Sequence, residues 1–320
     1  MNDHFIGVDV GGTKVSLATM NAGELSAPRI TPTEHAGSRA LVDQLAGVIE
    51  EARESNTTAV GIGIPSAVEF ATGRALSGVN VPLEGVPLRA TLTERLGVPV
   101  FVDNDANVAA LAEACDPAGK LVVSHLVMFT VGTGVGGGLV LGGRPFRGAT
   151  GAAAELGHTI IGLDLADGAP PAERFPQAGS LETLAAGRAL DRLAAESAQA
   201  RPETALGRLA AEGRGVTGTD AVAAARDGDE EAVRLLRVLG ERLGIGIASA
   251  INAFDPEQVV VGGGVSTAGD LLMGPAAETA RHYVLPGVGS RTEIRVARYG
   301  VEAGVRGAAL LAANESVAAS

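Results

Sequence analysis

Short apolar, β-prone runs alternate along this chain with segments whose apolar residues recur at helical spacing, and Gly/Thr turns punctuate both. Phe5-Ile6-Gly7-Val8-Asp9 reads as a strand, Gly11-Gly12 as a turn, and residues 15–20 as the returning strand. Leu41, Leu45, Val48 and Ile49 predict a helix over about 39–53. Residues 59–64 are a buried-strand candidate ended by Pro65. Residues 98–102 are another, leading through Asp103-Asn104-Asp105 into a helix that includes 108–114. Asp116-Pro117-Ala118-Gly119 has the composition of a linker.

The second half repeats the opening device. Residues 127–131 form an apolar strand, Gly132-Thr133-Gly134 a turn, and 135–141 the return strand, with Asp9-Val10-Gly11 corresponding to Thr130-Val131-Gly132. Two lobes that each offer a Gly/Thr hairpin can close over one polyphosphate. Residues 164–177 are turn-rich, with Pro170, Pro171 and Pro176. Helices are expected over 181–197, 220–226 and 230–254, the last carrying Gly244, Gly246, Ala248 and Ala250, which permit close packing. A strand over 258–261 opens into Gly262-Gly263-Gly264, and 302–313 forms a closing helix.

The chain has 320 residues, and at about 150 residues per domain that length predicts two domains or two lobes. Hydrophobic residues at 46% and charged residues at 19% exclude wholesale disorder. A net charge of −12 argues against a nucleic-acid partner, which requires a basic face. The single Cys115 excludes an intramolecular disulfide and any multi-cysteine metal site. No secretory signal is read at the start, where the apolar stretch 5–8 is too short. The uncharged run 121–143 is long enough for a membrane span, but its Gly132-Thr133-Gly134 break suits a turn between two strands. The expectation is a soluble cytoplasmic protein with no membrane partner.

Candidate chemistry concentrates where strands end. Asp9-Val-Gly-Gly-Thr-Lys14 lies on a hairpin rather than before a helix, so it is neither a P-loop nor a dinucleotide fingerprint. Gly11 and Gly12 expose backbone N–H groups to phosphate oxygens, Thr13 adds a hydroxyl, Lys14 a point charge, and Asp9 a carboxylate for Mg²⁺, direct or through water. The alternative for this segment alone is a tight β-turn. Asp103-Asn104-Asp105-Ala106-Asn107 supplies more polar groups than one helix cap needs, so an Asp here can accept the proton of a hydroxyl attacking a γ-phosphate. Glu155 and His158 lie three apart in a small, apolar stretch, a pattern that a half-exposed helix end also explains. Glu182 after Gly179-Ser180-Leu181 is equally a favourable first-turn carboxylate.

Seven segments together resemble the ROK family of sugar kinases over essentially the whole chain. They are Asp9–Lys14, Gly61-Ile-Gly-Ile-Pro65, Asp103–Asn107, Gly132-Thr-Gly-Val-Gly-Gly-Gly138, Glu155-Leu-Gly-His158, Gly179-Ser-Leu-Glu182 and Val261-Gly-Gly-Gly264. The resemblance implies a two-lobed α/β fold of the actin/hexokinase-like (ribonuclease H-like) kind. It also implies ATP with Mg²⁺, and phosphorylation of a hexose, as in a glucokinase acting at O6 in glycolysis. Asp105 would be the general base; Asn80, Asn104, Glu155, His158 and Glu182 would grip sugar hydroxyls. Gly11, Gly12, Thr13, Lys14, Gly132, Thr133, Gly134, Gly263 and Gly264 would hold ATP and its phosphates. The implied organisation is a small lobe at 1–117, a large lobe at 118–300 with the second hairpin and the sugar and adenosine sites, and a helix at 301–320 returning to the small lobe. A homodimer or homotetramer is implied as well.

Two departures stand out. The family's three zinc-binding cysteines are missing, Ser180 standing in the last of their positions, so no structural zinc is expected. Ser66 replaces the glycine that usually follows Gly-x-Pro. The alternatives are a kinase for another hexose or an N-acetylhexosamine, and a non-catalytic sugar-binding protein of the same family. The family's regulators begin with a DNA-reading module, whereas this chain opens on the phosphate hairpin, so no such activity is expected.

Overall fold

The computed structural model describes residues 4–319 apart from Val79 and Glu173. The chain opens with strands β1 (His4–Val10), β2 (Lys14–Asn21), β3 (Glu24–Leu25) and β4 (Arg29–Pro32), then helix α1 (Ser38–Ala52) and strand β5 (Thr57–Ile64). Short strands β6 (Val68–Glu69) and β7 (Arg74–Ala75), helix α2 (Leu88–Leu96), strand β8 (Val100–Asn104) and helix α3 (Asp105–Ala114) follow. Strands β9 (Leu126–Val131), β10 (Val135–Leu141) and β11 (Arg144–Pro145) precede a 3-10 turn at Leu156–His158. Helices α4 (Leu181–Ala185), α5 (Gly187–Ala200), α6 (Ala205–Ala211), α7 (Gly218–Arg226) and α8 (Glu230–Phe254) come next. The chain closes with strand β12 (Gln258–Gly262), helix α9 (Asp270–Tyr283), strand β13 (Glu293–Val296) and helix α10 (Ala303–Ala319).

The chain divides into two compact units. One comprises Met1–Met128, Gly138–Ala154 and Arg298–Ser320; the other comprises Phe129–Gly137 and Glu155–Ala297. One sheet runs β3-β2-β1-β5-β8 with β4 paired to β2, and a second runs β11-β10-β9-β12-β13.

In the first unit, side chains alternate faces along each strand, and that alternation builds two cores. Ile6, Val8 and Val10 of β1 and Val60, Ile62 and Ile64 of β5 join Leu41, Leu45 and Ile49 of α1 and Leu88, Leu92 and Leu96 of α2. The opposite face takes Ala59, Phe101, Val108 and Leu111 together with Ala309, Leu310 and Leu311 of α10. There β5 presents Gly61, where a Cβ would lie 1.8 Å from the Ala308 carbonyl, so the glycine sets how closely α10 approaches the sheet. Cys115 follows α3 and is buried; its carbonyl accepts from Tyr299 Oη at 2.8 Å and Arg298 Nη1 at 3.3 Å.

In the second unit, α8 is buried along Leu235, Leu236, Leu239, Leu243 and Ile247 and packs on α9. Its bounds and those of β10 are the expected ones. The helix expected over 181–197 is instead two, interrupted at Ala186, whose backbone is extended. The break has a tertiary cause: the Gly187 N–H at the start of α5 donates to the Gly132 carbonyl at 2.8 Å.

Candidate active site

In the first unit the β1–β2 hairpin closes through a Gly11 N–H to Lys14 carbonyl bond of 2.8 Å. Thr13 and Lys14 are exposed, and a Cβ on Gly12 would lie 3.6 Å from the Asn80 carbonyl, so exposed Asn80 borders the turn. Asp9, next to last in β1, lies on the sheet face that α10 covers. Gly304, in the first turn of α10, makes room for it, since a Cβ there would stand 2.5 Å from Asp9 Oδ2. Burial pushes the Asp9 carboxyl up to about 6, against the opposing pull of Lys14.

Asp105 opens α3. Asn104 caps that helix, its Oδ1 accepting from the Ala106 N–H at 2.9 Å and the Asn107 N–H at 3.2 Å, while its Nδ2 donates to the Ser66 carbonyl at 3.3 Å. Asp105 Oδ1 also accepts from the Ala106 N–H, at 2.8 Å. Burial first, and the Asp9 charge second, push the Asp105 carboxyl up to about 7. A carboxyl poised there is suited to taking a proton near neutral pH. Asp103 has a different task. It is 2% exposed and accepts from Asn107 Nδ2 at 3.0 Å and Arg147 Nε at 2.7 Å. Arg147 in turn lies over the Phe70 ring and reaches Glu315 at 3.2 Å. The carboxylate pair of the Asp103–Asn107 segment is therefore divided between a structural anchor and a carboxyl raised towards neutrality.

Ser66 is 4% exposed, its Oγ bonded to the Ser77 carbonyl at 2.9 Å and to the Ser77 N–H at 3.0 Å. The side chain that departs from the family pattern thus clasps the 66–77 loop, and its carbonyl steadies Asn104.

In the second unit the Gly132 N–H donates to the Gly134 carbonyl at 2.9 Å, closing the β9–β10 hairpin. Glu182 Oε2 accepts from the Val135 N–H at 2.8 Å, which sets this carboxylate against the hairpin, where Thr133 is exposed. Gly263 has φ +87°, and a Cβ on it would lie 2.4 Å from the Val131 carbonyl. Gly132 and Gly264 differ. Neither has a left-handed backbone, and a Cβ on either meets nothing within 4 Å. Turn geometry and packing leave glycine unexplained at both.

Glu155 precedes the 3-10 turn and His158 is its last residue, with His158 Nε2 3.9 Å from Glu155 Oε2 and the imidazole edge-on to Phe175, ring centroids 5.9 Å apart. The Leu181 N–H bonds the Thr159 carbonyl at 2.8 Å, which draws His158 to the segment carrying Ser180 and Glu182. Ser180 is fully buried and caps α4 through the Thr183 N–H at 3.3 Å. Among the described residues no three His, Cys, Asp or Glu side chains gather as a metal site.

Each unit therefore assembles its own share of the residues singled out in the sequence: Asp9, the first hairpin, Asn80, Asn104 and Asp105 in one, and the second hairpin, Glu155, His158, Glu182, Gly263 and Gly264 in the other. Gly304, Arg147 and the Ser66 clasp add support that sequence reasoning missed. Of these only Ser66 left a signal, as a departure from the family pattern.

A sheet of this order ending in a Gly/Thr hairpin, with an acidic strand-to-helix junction beside it, is that of the actin/hexokinase-like sugar kinases. The chain belongs to the ROK family, whose model matches residues 5–315. It is 36% identical to a glucokinase of Halalkalibacterium halodurans over 95% of this chain and 93% of that protein. An N-acetyl-D-glucosamine kinase of Salmonella newport is 34% identical over 96% of this chain and 98% of its own length. A ROK family glucokinase from Streptomyces griseus, solved with glucose and AMPPNP, has a TM-score of 0.77 at 34% identity, covering 97% of this chain and 99% of that one.

Proposed function

We propose that this sugar kinase transfers the γ-phosphoryl group of ATP to O6 of glucose. The observation that carries the reading is Asp105, a carboxyl raised to about 7 at the start of α3 beside Asp9 and the glycine hairpin. Asp105 accepts the proton of the attacking hydroxyl as that oxygen bonds to phosphorus. The bond from phosphorus to the bridging oxygen breaks, and ADP leaves with the electron pair. Asn80, Asn104, Glu155, His158 and Glu182 are assigned to the sugar hydroxyls. One hydrogen of the Asn104 amide is committed to Ser66, which leaves the other for a hydroxyl oxygen.

Among the described residues no donor hydrogen-bonds the Asp9 carboxylate, and this suits it to Mg²⁺, directly or through water. When bound there, the ion would supply neutralising charge to the phosphates. The hairpin glycines, Thr13, Lys14, Thr133, Gly263 and Gly264 hold the nucleotide and exclude water, which competes as phosphoryl acceptor. The same reading takes the protein to be a cytoplasmic homodimer or homotetramer. No described helix is long and apolar enough to cross a membrane.

The near-equal identity to an N-acetyl-D-glucosamine kinase favours a second reading, an N-acetylhexosamine as acceptor. ADP release measured with glucose, mannose, fructose, N-acetylglucosamine and N-acetylmannosamine separates the two. Glucose is expected to give the highest kcat/KM. An N-acetylhexosamine leading the panel supports the second reading, and no sugar raising ADP release above the sugar-free rate overturns both.

A further inference from the structure

Consecutive carbonyls of the first hairpin are all tied to one short segment. Thr33, just past β4, donates its hydroxyl to the Gly11 carbonyl at 2.7 Å and its N–H to the Thr13 carbonyl at 3.1 Å. His35 Nε2 lies 2.8 Å from the Gly12 carbonyl. In a trans peptide the C=O and the following N–H point opposite ways. Holding the Gly11 and Gly12 carbonyls towards residues 33–35 therefore turns the N–H groups of Gly12 and Thr13 away from that segment. Among the described residues neither N–H has a protein acceptor. A Gly-Gly step is the backbone least able to hold such an orientation unaided, because neither residue carries a Cβ to restrict it.

The second hairpin obtains a related arrangement by other means. Its Gly132 carbonyl is held by the Gly187 N–H at 2.8 Å, which turns the Thr133 N–H away from α5. There the tether is backbone; in the first hairpin two of the three tethers are side chains.

We propose that Thr33 and His35 are positioning residues for the phosphoryl donor, aiming the N–H groups of Gly12 and Thr13 at a phosphate oxygen. The inference rests on the reading of this hairpin as the phosphate site. Hydrogen bonds from amides to an anionic oxygen are strong, and fixing the donors beforehand removes an ordering cost from nucleotide binding. Thr33 is 8% exposed and its hydroxyl is the more sheltered tether; His35 works at the surface.

Thr33→Val keeps the side-chain shape and the backbone bond to Thr13 but deletes the hydroxyl, Thr33→Ser restores it, and His35→Phe removes the ring donor. Steady-state KM values for ATP and sugar, calorimetric Kd for ADP without sugar, and thermal midpoints are measured on the full chain. Thr33→Val and His35→Phe are expected to raise KM for ATP and Kd for ADP about three- to thirty-fold, with KM for sugar unchanged and Thr33→Ser near the parent. Nucleotide binding unchanged in both variants, or a sugar KM that rises as far as the ATP KM, overturns the proposal alone. A parent protein that neither binds ADP nor turns over ATP overturns the phosphate-site reading and this inference with it.

Discussion

Asp105 titrates well above an ordinary carboxylate, and that single shift has a kinetic and a thermodynamic consequence. As the base it must be ionised, so kcat is expected to rise with pH and level off above about 7. The folded protein holds this proton up to about 7, whereas the unfolded chain releases it near 3.8. Between those values the folded state binds more protons, so this group's contribution to stability falls as pH rises, and its full cost is present above 7. Asp105→Asn removes that cost while keeping an oxygen for the Ala106 N–H. The variant is expected to lose about 10²–10⁴ in kcat yet melt higher than the parent at pH 8, with the advantage fading towards pH 4. Paired melts and rates across that range check both halves. A variant that melts lower than its parent at pH 8 would return Asp105 to a purely structural role.

Helix α10 lies this close to the sheet because β1 and β5 offer it bare backbone at Gly7 and Gly61. Gly61→Ala drives a methyl into the Ala308 carbonyl and is expected to destabilise the protein by about 1–3 kcal/mol, read as a lower urea midpoint with an unchanged slope. The pattern that makes β1 and β5 legible as strands is the alternation of Ile and Val with smaller residues. The same alternation assigns their faces, but nothing local says that a helix from the far end of the chain fills the glycine side. Helices α2 and α9 escaped sequence reading for local reasons. Polar residues interrupt α2 between Leu88, Leu92 and Leu96, and α9 holds Gly274-Pro275 in its interior. The hairpins and Asp105 were legible because glycines and carboxylates crowd strand ends beyond any structural need. The roles of Asp103, Gly304, Thr33 and His35 were not, since each depends on a partner distant in sequence or on which way a peptide plane faces.

At the scale of the whole molecule, the absence of the family's cysteine cluster changes what holds the 159–179 segment. Ser180 replaces a metal ligand with a helix cap, and backbone bonds from Ile161 and Gly162 to the Gly179 carbonyl, at 2.8 and 3.2 Å, tie the segment across its base. Folding is therefore expected to be independent of zinc. Protein purified without chelator should carry well under one zinc per chain, and dialysis against a chelator of zinc should leave the thermal midpoint unchanged. Stoichiometric zinc whose removal lowers that midpoint would contradict this account.

The lone thiol offers a clock. Cys115 sits 2% exposed where α3 ends, beneath the strip of chain that returns through Arg298 and Tyr299, and burial, then the Asp116 charge, pushes it up to about 11. Only the thiolate attacks a disulfide reagent, so in the closed protein the sulfur is both hidden and in its unreactive form. Each labelling event then records one opening of that corner of the molecule. With no second cysteine to confuse the count, the pace of labelling at pH 8 is expected to report how often the first unit comes apart. A nucleotide that binds the closed form should slow it, and labelling as fast as that of a free thiol would mean the corner is never shut.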